Sequence, residues 1–333
     1  NASAQGLAAG KAATDTFTTT ASTVDRSKGV PQVASFPDLS FPKVQRGTLK
    51  NGIEVVLAER HSVPVVNVAL QFDAGYASDA GGKLGTASFA ANMLDEGTAS
   101  LDSVQIAQTR ERLGLNLSTG CGLDACTANA NLLKANMAPS LALLADVVRN
   151  PAFRDADIER LRAQWIAGIG QEKTQPVGLA LRVLPPLVYG AGHPYAIPFS
   201  GTGSEADIKA LSAADLRAWQ SAWLRPDNVR ILVAGDTTLP EITTQLDAVF
   251  GDWQAPAAGK GAKSIPQVAA QQKPRVFLID KPGAQQSLIL AGLLAPSTTA
   301  PNNLNIETMN DAFGGLFTAR LNMNLREDKH WAY

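Results

Sequence analysis

A change of hydrophobic period constrains this chain more than any other feature. Residues 53–57 and 63–72 are β-rich runs that read as two strands, and the turn signal Leu49-Lys50-Asn51-Gly52 precedes the first. Leu84, Ala87, Ala91 and Leu94 then recur at three- and four-residue spacing, which predicts a short amphipathic helix over 84–94 with Gly97 placed to stop it. Strands followed by helices point to an α+β fold.

The alternation continues downstream. Helices are expected over 102–113, 137–148, 155–171 and 178–188, and from Ser212, a suitable N-cap, to Trp223. Ile158, Leu161, Trp165 and Ile169 form the buried stripe of the third of these. Residues 115–132 alternate around the turn between Cys121 and Cys126 and read as a hairpin, and 229–234 reads as a strand. Residues 254–273, rich in Pro, Gly, Ala, Lys and Gln without an apolar period, form a linker. Beyond it the pattern restarts, with strands expected over 275–280 and 287–293 and a helix over 303–313 ended by Gly314-Gly315. The domain expectation is therefore a flexible tail or connector over 1–40, a first domain over 41–253, a linker over 254–273 and the beginning of a similar domain over 274–333. A second domain left open would expose strand edges, so more sequence or a tightly bound partner is expected to complete it.

Composition removes several classes of function. Twenty-nine basic and thirty acidic residues leave a formal charge of -1, with no electrostatic footprint for nucleic acid or an anionic membrane. No apolar run approaches the roughly 20 residues of a bilayer-spanning helix, so membrane insertion is not expected. The only cysteines, Cys121 and Cys126, are too few for a thiolate zinc site. Two free, partly buried thiols are the plainer expectation; a disulfide across the hairpin is the alternative that an oxidising compartment would allow.

The helix at 84–94 carries the most informative stretch, Ser88-Phe89-Ala90-Ala91-Asn92. With Leu49-Lys50-Asn51-Gly52-Ile53, Phe72-Asp73-Ala74-Gly75, Gly190-Ala191-Gly192-His193-Pro194-Tyr195, Gly201-Thr202 and Trp223-Leu224-Arg225-Pro226-Asp227-Asn228, in that order and spacing, the chain resembles the pitrilysin/insulinase-type (inverzincin) zinc peptidases. The resemblance implies a pitrilysin-like domain, also called mitochondrial-processing-peptidase-like, with a mixed, mainly antiparallel sheet and helices packed on one face. In that family the helix bears H-x-x-E-H, whose histidines bind zinc and whose glutamate activates a water. Ser88, Ala91 and Asn92 stand at those positions here. A hydroxyl, a methyl and an amide neither grip zinc comparably nor take a proton near neutral pH. The family's third ligand, aligned through Gln175-Pro176, falls on Ala167 or Gly168, with Glu172 a turn or more away. No metal is therefore expected on this chain.

After the linker, Asp280-Lys281-Pro282-Gly283 and residues 314–326 resemble the start of the family's second domain, which carries an arginine and a tyrosine seven residues apart. Here these are Arg326 and Tyr333. In active relatives the pair faces the zinc of the other half, where it holds substrate and stabilises an oxyanion. The resemblance thus implies a non-catalytic half that binds peptide and lends Arg326 and Tyr333 to a zinc-bearing partner half or subunit, as in a heterodimer. The alternative is a purely structural or binding module with a degenerate peptidase fold. Without the resemblance, Arg326 and Tyr333 read as an ordinary salt-bridged arginine and a core tyrosine. Ser88 has no histidine or lysine within a turn to activate it, which argues against a serine hydrolase. His61, His193 and His330 are scattered, with His193 expected to be a structural hydrogen-bonding residue. The Ala/Thr/Ser-rich leader fits a periplasmic protein whose signal has been removed, with the cytoplasm as the alternative.

Overall fold

The computed structural model describes residues 27, 29, 35, 38, 40–269 and 273–332, so most of the expected 1–40 tail lies outside the described residues. The chain divides between Phe41 and Pro42, and every element below belongs to the second unit. Six strands form one sheet: β1 (Val44–Thr48), β2 (Glu54–Glu59), β3 (Val65–Phe72), β4 (Asn116–Cys121), β5 (Cys126–Leu133) and β6 (Val229–Gly235), in the order β1-β2-β6-β3-β5-β4. All neighbours are antiparallel except β2 and β6, which run parallel. The sheet is mixed and mainly antiparallel and the fold is α+β, as expected.

Alternation decides which face is covered. In β3, Val66, Val68, Leu70 and Phe72 point inward and are at most 1% exposed, while Asn67 and Gln71 point out. Cys126, Ala128, Ala130 and Leu132 of β5, Val55 and Leu57 of β2, and Ile231 and Val233 of β6 extend the inward layer. Helices α1 (Thr86–Asn92), α3 (Met137–Arg149) and α8 (Leu239–Phe250) contribute their apolar stripes to the same core, with Phe89, Leu141, Leu144, Val148, Ile242, Leu246 and Phe250 fully buried. Around them lie α2 (Ser103–Leu113), α4 (Asp155–Thr174), α5 (Pro176–Tyr189), α6 (Glu205–Ala210) and α7 (Ala213–Trp223). None of the described helices is long and apolar enough to cross a membrane.

Local chemistry starts these helices where they start. Asp102 and Gln105 form a reciprocal capping box on α2, and Ser212 and Asp215 form another on α7. Ser204 caps α6 and Thr238 caps α8. Pro176 opens α5, where its missing N–H costs nothing.

Four observations differ from the sequence reading. The cysteines are joined as a Cys121–Cys126 disulfide, because the terminal pair of the β4–β5 ladder sets their side chains side by side; the free-thiol expectation is corrected accordingly. Residues 275–280 and 287–293 are not strands, since neither finds a partner ladder among the described residues and two isolated strands are marginal in water. Their side chains Val276, Leu278, Ile289 and Leu293 are largely exposed. The helix in this region runs Asn303–Asn310 (α9) and continues as a π-turn to Gly315. Finally, residues 254–269, the described part of the expected linker, have no regular structure but are docked. Arg225 donates to the Ala258 and Pro256 carbonyls at 2.7 and 3.3 Å, Gly261 N–H donates to Ala222 at 3.0 Å, and His193 Nε2 lies 2.9 Å from the Pro266 carbonyl.

Leu144 of α3 belongs to the buried core and has no exposed surface. Leu144→Ala is expected to cost about 2–5 kcal/mol through lost transfer free energy and the cavity left behind. Urea unfolding followed by near-ultraviolet circular dichroism of the tryptophans would measure it.

Candidate functional site

The helix that carries Ser88, Ala91 and Asn92 begins abruptly. Its N-cap, Gly85, has φ 98° and no side chain to receive the first amides of α1. Asp79, on the short 3-10 turn Tyr76–Asp79, reaches across instead. One carboxyl oxygen accepts from Gly85 N–H at 2.8 Å and the other from Ala87 N–H at 3.0 Å. Only 4% of Asp79 is exposed, and burial pushes its carboxyl up to about 7 against the pull of those amide donors, with Asp207 adding to the rise.

The three positions of interest are spent on structure. Asn92 donates its amide to the Ser88 carbonyl at 2.8 Å, one turn back. Ala91 is buried, and its carbonyl accepts from Thr119 Oγ1 of β4 at 2.7 Å. Ser88 is 6% exposed, and its hydroxyl has no hydrogen-bond partner. Gly201 closes over it with φ +69°, and a Cβ there would stand 2.9 Å from Ser88 Oγ and 2.7 Å from the Tyr76 ring.

Residues 199–203 are fastened over α1 from several sides. Tyr76 Oη donates to the Phe199 carbonyl at 3.0 Å, and Trp165 Nε1 donates to the Thr202 carbonyl at 3.0 Å. Trp165 also meets Phe89 of α1 edge-on at 5.4 Å. Arg182 donates to Thr202 Oγ1 at 2.8 Å and to the Gly203 carbonyl at 2.5 Å. Glu172 accepts from Arg182 at 2.6 Å, Thr202 at 3.0 Å and Ser200 at 3.1 Å, so the carboxylate nearest the third ligand position is already engaged. Among the described residues, no group of three or more His, Cys, Asp or Glu side chains is placed to hold a metal ion.

This donor set does not fit zinc. A buried hydroxyl under a glycine, a methyl and an amide bonded to its own helix offer one neutral oxygen apiece at most. Nor can Ser88 act as a nucleophile, since no base reaches it.

Arg326 lies elsewhere, on the π-turn Met323–Asp328, with its guanidinium 4.6 Å over the Phe317 ring and Nε 3.5 Å from Glu327. It lines a cavity of about 420 Å³ with Gln286, Glu327, His330, Trp331 and Ala332. His330 Nδ1 is 3.0 Å from the Arg326 carbonyl. Tyr333 lies outside the described residues. No hydrogen bond or ion pair joins Arg326 to α1 among the described residues. His193 accepts from Tyr195 N–H at Nδ1 (2.9 Å), the structural role expected of it. The sequence reading missed Asp79 and Arg182, and the structural use of Gly201 and Glu172. A missing cap at Gly85 was the one available signal, since a helix without a local capping side chain must find an acceptor elsewhere.

Known proteins resemble this arrangement along most of its length. A family model for "Insulinase (Peptidase family M16)" matches residues 54–185, and one for "Peptidase M16 inactive domain" matches residues 210–333. The uncharacterized zinc protease YmxG of Bacillus subtilis is 22% identical over 290 residues, which cover 87% of this chain and 68% of that protein. The crystal structure of the peptidase M16 inactive domain from Pseudomonas fluorescens matches with TM-score 0.75 and 27% identity, covering 86% of this chain and 68% of that one. The periplasmic protease PqqL from Escherichia coli matches with TM-score 0.60 and 18% identity, over 71% of this chain and 26% of that one. The chain thus spans about two thirds of the length of the first two relatives.

The Asp79 carboxyl sets a pH dependence of defined sign. Its folded value of about 7 lies above the ordinary 3.8, so folding takes up a proton between the two. Its contribution to stability is full below about 4, falls as pH rises toward 7 and is flat above that. In Asp79→Asn, the unfolding free energy measured by urea titration across this range should lose that downward slope, at a roughly constant cost for the weakened cap. Parallel curves for the two proteins would show that the carboxyl is ordinary.

Proposed function

The chain belongs to the insulinase (M16) peptidase family, and from this premise we propose that it is the non-catalytic half of a peptide-hydrolysing chamber whose zinc resides in a partner half. The observation that carries this reading is the state of α1. Ser88, Ala91 and Asn92 replace the metal ligands and the base, and residues 199–203 are bonded down with Gly201 over Ser88. Peptide hydrolysis is then an activity of the assembly.

Arg326 and Tyr333 are the residues this half contributes. A guanidinium can hold a substrate carbonyl, and a phenol can donate to the oxyanion of a tetrahedral intermediate. The Arg326 guanidinium stacks on Phe317 and pairs through Nε with Glu327, so substrate would have to compete with that pair for it. The partner half is a separate subunit or another part of the same polypeptide. PqqL is described as periplasmic, and that compartment is the one proposed for this chain.

The test is reconstitution with an H-x-x-E-H-bearing half, with zinc measured on each component. Arg326→Ala and Tyr333→Phe are each expected to lower kcat of the pair by about 10²- to 10³-fold, the usual cost of removing an oxyanion donor. Unchanged turnover in both variants would leave the chain as a structural or binding module. Stoichiometric zinc on the isolated chain would overturn the reading altogether.

A further inference from the structure

The hairpin loop between Cys121 and Cys126 holds more of the molecule than its size suggests. Gly122 and Leu123 offer their carbonyls to Tyr76 and Ala77 N–H at 2.9 and 3.0 Å, fixing the turn from which Asp79 caps α1. Asp124 accepts from the Tyr195 hydroxyl at 2.7 Å through its carboxylate. Its carbonyl accepts from Lys263 Nζ, which also donates to the Ala74 carbonyl at 2.8 Å and pairs with Asp73 at 2.7 Å. The Lys263 side chain is only 10% exposed. The linker between the two parts of the chain is therefore anchored, at Lys263, to a loop whose ends are clamped by a disulfide.

The two sulfurs stand in different surroundings. Cys121 is half-buried at the end of an edge strand, beside exposed Gly122. Cys126 is 2% exposed, and its sulfur receives the Gly75 N–H at 3.2 Å. Of the two residues Cys121 is the more exposed, with its sulfur 3.4 Å from the Ala87 carbonyl, so attack is assigned to Cys121, and a backbone donor already faces the Cys126 sulfur that would leave with negative charge.

We propose that Cys121–Cys126 is a reversible thiol–disulfide exchange site for a dithiol reductant, and that its reduction unfastens the linker at Lys263. A thiolate of the dithiol attacks Cys121 Sγ, forming a mixed disulfide as the Cys121–Cys126 bond breaks and its electron pair passes to Cys126 Sγ. The second thiolate of the reductant attacks its own sulfur in the mixed disulfide and releases Cys121. Both cysteines take protons from solvent, and the reductant leaves as its cyclic disulfide, so two electrons move from dithiol to protein. Without the clamp, residues 122–125 lose their fixed spacing, and the Asp124 carbonyl no longer holds Lys263 in place.

Trypsin reads this directly, because Lys263 can be cleaved only when its side chain is withdrawn from its carbonyl cradle, whereas Lys260 is exposed and serves as the internal reference. The full chain, purified in air, is digested briefly before and after dithiothreitol treatment, and the peptides are quantified by mass spectrometry. Reduction is expected to speed cleavage after Lys263 by about tenfold or more while cleavage after Lys260 changes less than about twofold, the signature of local rather than global opening. Cys121→Ser/Cys126→Ser should show the fast rate with or without dithiol. Equal rates at residue 263 in oxidised and reduced wild-type protein would overturn the proposal. So would acceleration at every site, or two free thiols in the air-purified chain.

Discussion

Two amides at the start of α1 are answered from outside the helix, and the placement of the whole site follows from the acid that answers them. Gly85 allows the chain to turn sharply but contributes no cap, so α1 begins where Asp79 waits. Asp79 in turn is held because its short turn is bonded to the 122–125 loop and because Tyr76 reaches the Phe199 carbonyl. A helix of seven residues has little stability of its own. Its position is imposed by these neighbours and by Phe89 packed against Trp165.

The elements that were legible in the sequence are those whose signals are local. The alternation of Val66, Val68, Leu70 and Phe72 announces β3, and Ser212 with Asp215 announces α7. β1 was not legible, because Val44-Gln45-Arg46-Gly47-Thr48 is a half-exposed edge without an apolar alternation. α6 is only six residues long. α8 was readable in principle from Thr238, Leu239 and Pro240, a cap followed by a proline in the first turn. Residues 275–293 mislead in the opposite direction: their apolar runs suit strands, but a strand exists only where a neighbour supplies hydrogen bonds.

For the site, the loss of ligands at Ser88, Ala91 and Asn92 could be read directly, since it needs only side-chain identity. What replaced the chemistry could not. The closure of Gly201 over Ser88, and the use of Glu172 by Arg182, Ser200 and Thr202, join segments far apart in the chain. A helix face freed from metal binding has become a packing surface, and the one polar atom left unanswered there is the Ser88 hydroxyl.

The strand order carries a consequence for how this chain reaches its native state. β6 lies between β2 and β3, although it follows both by most of the domain's length. Until residues 229–235 arrive, the inner edges of β2 and β3 have no partner, and the hydrophobic rows of Val55, Leu57, Val68 and Leu70 lack their central neighbour. Synthesis from the N-terminus therefore leaves two unpaired edges until β6 inserts between them, parallel to β2 and antiparallel to β3. A ribosome-bound fragment stopping short of Val229 would be a natural client for a chaperone that shields strand edges.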